Sequence, residues 1–199
     1  NLGVTLYGAY GLRRSDEANS LANLTVTDGA TGAATNSRFD NTREDRVDTG
    51  EAGVRGRFRT GPVGHEWVVA ASWFQLETDN AFAWNFFTPQ ATNLYNPVLS
   101  SQPAFSANAL RGNGLDAPAL TTRTRLSSTA IGDTLSFLDD RLLVTLGVRY
   151  QKLDIANFAY DTGAQTSRYV ETRASPMVGA VYRVAKPLSV YANYIEGLT

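Results

Sequence analysis

Cysteine is absent from the 199 residues, which excludes disulfides and thiol chemistry but leaves the compartment open. Histidine occurs once, at position 65, and a single histidine cannot by itself assemble a zinc site. Lysine is scarce too: Lys152 and Lys186 are the two lysines among 18 basic residues, a bias given no functional weight. The formal net charge of −1 supplies no basic footprint, so a nucleic-acid partner is not expected. No apolar run approaches the roughly 20 residues that a membrane helix needs. The longest, Trp67 to Phe74, falls far short. Asn1 is followed by neither the basic start nor the long apolar stretch of a secretion signal, so the sequence reads as mature protein or an excised piece.

What is present is alternation with period two, the pattern of strands with two unlike faces. From Leu2 to Arg13, one face carries Leu2, Val4, Leu6, Gly8, Tyr10 and Leu12. Ala52, Val54, Gly56 and Phe58 alternate with Glu51, Gly53, Arg55, Arg57 and Arg59. Leu142, Val144, Leu146, Val148 and Tyr150 oppose Leu143, Thr145, Gly147, Arg149 and Gln151. Pro176, Val178, Ala180 and Tyr182 form another apolar set, as do Val190, Ala192 and Tyr194. Around Trp67–Phe74 both faces are apolar, with Trp67, Val69, Ala71 and Trp73 as the preferred outer set. In the Thr- and Ser-rich stretch 121–137, Asp133 shares its set with Ile131 and Leu135, and the facing stays undecided.

Seven strands are expected, near 2–27, 34–60, 65–79, 121–137, 141–156, 168–184 and 188–198, in one domain covering 1–199. Short turns near 61–64, 138–141 and 185–187 are built from Gly, Pro and Asp, residues that turn geometry favours. A first hairpin reverses near Asp28-Gly29-Ala30-Thr31-Gly32, and a long loop runs from about 78 to 120. Short periplasmic turns opposite long extracellular loops are the asymmetry of outer-membrane barrels. A soluble sandwich or lipocalin-like β-barrel binding protein would share the alternation. Three features favour the membrane: aromatics near strand ends (Tyr10, Phe58, Tyr150, Tyr182, Tyr194), arginines in mid-strand on the opposite face, and strands longer than the soluble norm. The expected fold class is therefore all-β, part of an antiparallel transmembrane β-barrel.

The stretch Gly61 to Val98 pairs Gly61 and His65 at a turn, climbs to an aromatic-rich loop and closes with Leu94-Tyr95-Asn96-Pro97. Downstream come Asp133-Thr134-Leu135-Ser136-Phe137, the run Asp139 to Tyr150, Ser175-Pro176-Met177-Val178-Gly179 and Tyr191 to Gly197. In order and spacing these resemble TonB-dependent siderophore receptors, particularly the ferrichrome and hydroxamate branch, over nearly the whole chain and least before residue 45. The resemblance implies a barrel of about 22 strands filled by a plug, in the outer membrane of a Gram-negative bacterium. It places the plug, the energy-coupling segment and the closing strand outside these residues. It also implies import of a ferric siderophore, driven through the TonB energy-coupling complex. Iron would be coordinated by the chelator, so no protein cofactor or metal ligand is expected, and the chain is not expected to be an enzyme.

A chelate needs aromatic walls and a few hydrogen bonds. Trp84 and Phe86 fall near positions where the resembled branch places chelate-contacting aromatics; Phe87 and Tyr95 are weaker candidates, Tyr95 as an anchor of the loop base. Packing of the loop would explain the same rings. Arg55, Arg57 and Arg59 form a ladder expected to face the lumen, either against the plug or in local ion pairs. His65 is expected to flank a turn structurally. Asp139-Asp140 reads as turn chemistry, and Arg111 to Asp116 as flexible loop without the Lys-Ser/Thr of a phosphate loop. A passive porin or adhesin remains the alternative function, while a membrane-embedded enzyme would need more than one histidine beside a turn.

Overall fold

Seven long strands in one antiparallel sheet make up most of the computed structural model, which describes residues 3–97, 100–106 and 108–197. They are β1 (Gly3–Asp28), β2 (Ala33–Thr60), β3 (Val63–Trp84), β6 (Ala119–Phe137), β7 (Leu142–Phe158), β8 (Gln165–Ala185) and β9 (Leu188–Ile195). Each pairs with the next in that order, giving a curved half-barrel. Two short strands, β4 (Gln90–Asn93) and β5 (Leu110–Arg111), lie within the long connection and pair with β2 and β3. Among the described residues no helix occurs.

The connections at one end are tight. Gly61, at φ 60°, and Pro62 join β2 to β3, and Lys186-Pro187 join β8 to β9. Between β6 and β7, Leu138, Asp139 and Asp140 all adopt positive φ, closed by Arg141 N–H donating to Leu138 O at 3.2 Å. At the other end the strands run on. The β1–β2 hairpin turns at residues 29–32, where the Asp28 carboxylate accepts Ala30 N–H at 2.8 Å and the Thr31 hydroxyl at 2.7 Å. Those bonds hold the Asp28 carboxyl below the usual carboxylate range.

Cross-strand register shows what alternation alone left open. Leu6, Val54, Val69, Ile131, Val148 and Pro176 stand side by side in one row across six strands. Asp133 and Leu135 occupy the same face of β6 as Ile131, which settles the facing of that strand. The row Thr60–Val63–Phe137–Leu142–Tyr182–Val190 begins this apolar face at the tight turns, and the row Tyr10–Gly50–Trp73–Ser127–Lys152 ends it. Ten residues of tilted strand rise about 25 Å between those rows, the height of a barrel's lipid-facing band. Rings mark both rims: Tyr10, Trp73 and Tyr150 at one, Phe58, Phe137 and Tyr182 at the other. Tyr194 departs from the expected rim placement. It pairs with Val178, beside Leu146, in mid-band.

The band has no second layer to cover it. Leu6 is 81% exposed and Ile131 57%, while the buried apolar residues are all alanines, none of them within the band. Contiguous apolar surface on this scale is foreign to soluble monomers. Two glycines in β2 are matched to rings on this face: Gly50 lies opposite Trp73 and Gly56 opposite Trp67, and a Cβ at either would run into the indole. The rings thus occupy the space that glycine vacates on a strongly curved strand.

The opposite face is hollowed. Thr49, Glu51, Ser72, Phe74, Leu126, Ser128, Arg149, Gln151 and Leu153 line a cavity of ≈ 600 Å³ on it. Arg149 donates to the Ser128 hydroxyl at 3.0 Å there. Above the Trp73 row the polarity reverses. The face that was apolar now carries Asp48, Gln75, Arg125 and Asp154 in one row, and the hollow face carries Phe74, Leu126 and Leu153 in the row between.

Candidate functional site

Strand β3 runs five residues past its expected end because β2 continues beside it: Asn80 pairs with Arg43, Phe82 with Asn41 and Trp84 with Phe39. On its other edge β5 takes over where β6 stops, pairing Arg111 with Phe82 and Leu110 with Ala83. The sequence Ala81-Phe82-Ala83-Trp84 therefore splits by face. Ala81 and Ala83, at 0% and 1% exposure, lie under the loop, with Ala109 at 2%. Small side chains let that segment approach closely enough for Trp84 N–H to donate to Ala109 O at 3.2 Å. The rings are left on the side continuous with the hollow.

There they gather. Phe82 stacks on Phe39 at 5.9 Å between centroids, meets Tyr160 edge-on at 5.0 Å, and lies 5.6 Å from Trp84. Trp84 lies 5.6 Å from Phe86. Such separations suit tilted and edge-to-face pairs, which add stability beyond area burial. The Arg111 guanidinium sits 6.0 Å from the Trp84 ring centre and pairs with Asp161 at 3.6 Å. Asn85 pins the strand end, its backbone N–H donating to Arg38 O at 2.9 Å and its side-chain amide to Ala104 O at 3.3 Å. Thr88 donates its hydroxyl back to the Asn85 carbonyl.

Of the four ring candidates, Trp84 and Phe86 belong to this cluster. Phe87 is 88% exposed and makes no ring contact among the described residues. Tyr95 lies elsewhere, its hydroxyl donating to Gly29 O at 2.5 Å and its ring against Gly32, which turns the first hairpin at φ 75°. It ties β4 to that hairpin tip. Phe39 and Tyr160, which sequence reading did not single out, come from 45 residues before and 76 after Trp84.

Charged groups on this side of the sheet above the band are paired. Arg43 donates to Asp45 at 3.0 Å, Arg13 stands 4.0 Å from the same carboxylate, and Glu17 pairs across from Arg43. With Arg111 and Asp161 that makes three cations and three anions. Among the described residues no group of His, Cys, Asp and Glu is arranged to hold a metal ion.

The arginine ladder lies on the hollow face near the tight turns, and each member has a local neighbour. Arg57 bonds Glu66 through Nε at 3.0 Å, Arg59 donates to Pro62 O at 3.1 Å, and Arg55 lies 6.0 Å from the Tyr7 ring centre. His65 is on the apolar face. Its ring stacks on Phe58 at 4.3 Å, and Nδ1 lies 2.7 Å from Asp133 Oδ2, a partner 68 residues away. The pair explains how a carboxylate is tolerated between Trp67 and Leu146. His65→Leu is expected to destabilise the barrel by about 1–2 kcal/mol by leaving Asp133 unpaired, whereas replacing both residues with leucine costs less. Urea unfolding in lipid vesicles measures the difference.

Comparison with known proteins agrees with this architecture. The family model described as "TonB dependent receptor-like, beta-barrel" matches residues 1–199. The chain is 31% identical over 194 residues to the ferrichrome receptor FcuA of Yersinia enterocolitica, covering 98% of this chain and 25% of that protein. Among solved structures, BauA, the ferric preacinetobactin receptor of Acinetobacter baumannii, superposes with a TM-score of 0.67 at 28% identity, over 98% of this chain and 28% of that one. The siderophore receptor PiuA of the same organism shares the fold at a TM-score of 0.61 and 16% identity, over 96% of this chain and 29% of that one. The chain thus spans about a quarter of the length of the curated relative it matches. That family comprises receptors and transporters, not enzymes. The chain belongs to the TonB-dependent receptors and carries seven consecutive long strands of their β-barrel.

Proposed function

We propose that this chain forms part of the wall of an outer-membrane receptor that binds a ferric siderophore from outside and imports it with energy from the TonB complex. The observation that carries this reading is the ring cluster Phe39, Phe82, Trp84, Phe86 and Tyr160, raised above the apolar band on the side of the hollow. An assembly of rings beside a wet, concave wall offers broad apolar contact to a bulky chelate without competing for its iron. The names of the relatives, receptors for ferrichrome and for ferric preacinetobactin, support the same cargo class. Iron arrives coordinated by the chelator, and the rings hold the organic shell. The apolar band faces lipid, the hollow faces the lumen, and the wall around Arg55, Arg57 and Arg59 meets the plug.

The pairing of Arg43 with Asp45 and of Arg111 with Asp161 on the ring side favours an electrically neutral chelate over a polyanionic one, because a polyanion would require a surplus of arginine. Under iron starvation, deleting the gene should abolish growth on a neutral ferric trihydroxamate as sole iron source, and the intact gene should restore it. Growth of the deletion strain on that chelate at the parental rate, in a strain with no other receptor for it, would contradict the reading.

A further inference from the structure

Behind the rings, on the outward face of the sheet, lies a layer of polar contacts that the ring cluster does not use. Arg38 and Asp40 on β2 stand there beside Asn85 and Ala83. The Arg38 guanidinium donates from Nε to Asp40 Oδ1 at 3.0 Å and from Nη1 to Pro103 O at 3.1 Å. It also lies 4.3 Å over the centre of the Phe105 ring. Asp40, 8% exposed, accepts the Ser20 hydroxyl at 2.7 Å, and Gln102 donates to that hydroxyl oxygen at 3.1 Å. This one arginine–aspartate pair thus joins β1, β2 and the connecting segment 100–106. The carbonyl of Arg38 receives the Asn85 N–H just past the end of β3. Segment 100–106 forms no strand, so it stays on the sheet through such side-chain contacts.

We propose that Arg38 is a positioning residue for the chelate site: by clamping segment 100–106 to the back of β3, it holds the Trp84 and Phe86 rings in place before a chelate arrives. The inference rests on the chelate-binding reading under Proposed function. Trp84 projects from a strand end whose other side, Ala83 and Asn85, is buried at 1% and 6% exposure, and Phe86 leans on Trp84. Without the guanidinium, Asp40 is left a buried carboxylate with no cation, the segment loses its grip, and the strand end becomes free to move. Rings that a ligand must first order bind it more weakly than rings already in place. Lysine is no substitute, because contacts to a carboxylate, a carbonyl and a ring face together need a planar fork. The clamp lies ten residues beyond Trp73 along β3, outside the lipid band, so the barrel itself does not depend on it.

The test places Arg38→Ala in the complete receptor. Amide hydrogen exchange across residues 81–88 should speed up about tenfold, while the urea midpoint of the barrel in vesicles stays where it was. The dissociation constant for a ferric trihydroxamate should rise about fivefold. Phe105→Ala, which removes the ring beneath the guanidinium without leaving a charge unpaired, should move exchange and affinity in the same direction, and it decides the matter if Arg38→Ala does not fold. Added to Trp84→Ala, Arg38→Ala should weaken binding by less than about twofold more, because it acts through the rings. Unchanged exchange, unchanged affinity, a lowered urea midpoint, or a full fivefold loss on top of Trp84→Ala would each overturn the proposal. A wild-type receptor that binds no ferric trihydroxamate would strike the receptor reading and this inference together. A wild type that binds it, with both variants binding equally well, would strike this inference alone.

Discussion

Trp84→Ala in the complete receptor is expected to raise the dissociation constant for the ferric siderophore about tenfold, equivalent to about 1.4 kcal/mol. Trp84 touches Phe82 and Phe86 and lies under Arg111, so its loss removes a contact surface and loosens two neighbours. Its backbone N–H still bonds Ala109 O in the variant, because that bond does not involve the side chain. The loop should therefore keep its place, and the effect should appear in affinity and not in folding. Phe87→Ala, at a ring that is 88% exposed and makes no described ring contact, should change affinity less than threefold. Intrinsic fluorescence titration with the ferric chelate would measure both. An unchanged constant for Trp84→Ala would remove that ring from the binding surface.

The second large effect concerns the band. Ile131→Arg is expected to cost about 2–4 kcal/mol of barrel stability, the penalty for a cation at mid-depth on a lipid face. Ile131 sits in the row of Leu6, Val54, Val69, Val148 and Pro176, midway between the rims. Its neighbour Ala130 lies opposite Ala70 and Arg149 on the hollow face, where an added arginine remains hydrated. Ala130→Arg should cost well under about 1 kcal/mol. Unfolding by urea in vesicles separates the two, and equal costs would contradict the face assignment.

Much of this was legible in the sequence because a two-faced strand writes its structure into alternate residues. Among the described residues, every apolar set read from β1, β2, β7, β8 and β9 shares one face in the sheet, and Leu2 of the first set lies outside those residues. Strand β6 resisted because Asp133 interrupts its apolar set. The residue that excuses it, His65, is 68 positions distant, and periodicity carries no information about cross-strand partners. The upper part of β3 reads as loop in the sequence although Ala81-Phe82-Ala83-Trp84 alternates plainly. Its alternation is small against large instead of polar against apolar, since both sides of it are covered by protein. Trp84 and Phe86 stood out as rings in an aromatic-rich stretch. Phe39 and Tyr160 did not, because only the register of β2 against β3 and the reach of the β7–β8 turn bring them to Phe82.

The central claim is a wall with one lipid face and one wet face whose polarity reverses at the Trp73–Ser127 row. The absence of cysteine from the chain makes it open to single-cysteine scanning along β6, from Thr122 to Ser136, in the complete receptor with any other cysteines replaced. Spin labels at these positions, read by collision with oxygen against a water-soluble nickel chelate, report lipid or water at each residue. From Thr129 to Leu135 the odd positions should favour oxygen and the even ones nickel, and at Arg125 and Arg123 the odd positions should turn to nickel. Uniform nickel access along the strand, or alternation of the opposite phase, would contradict the account.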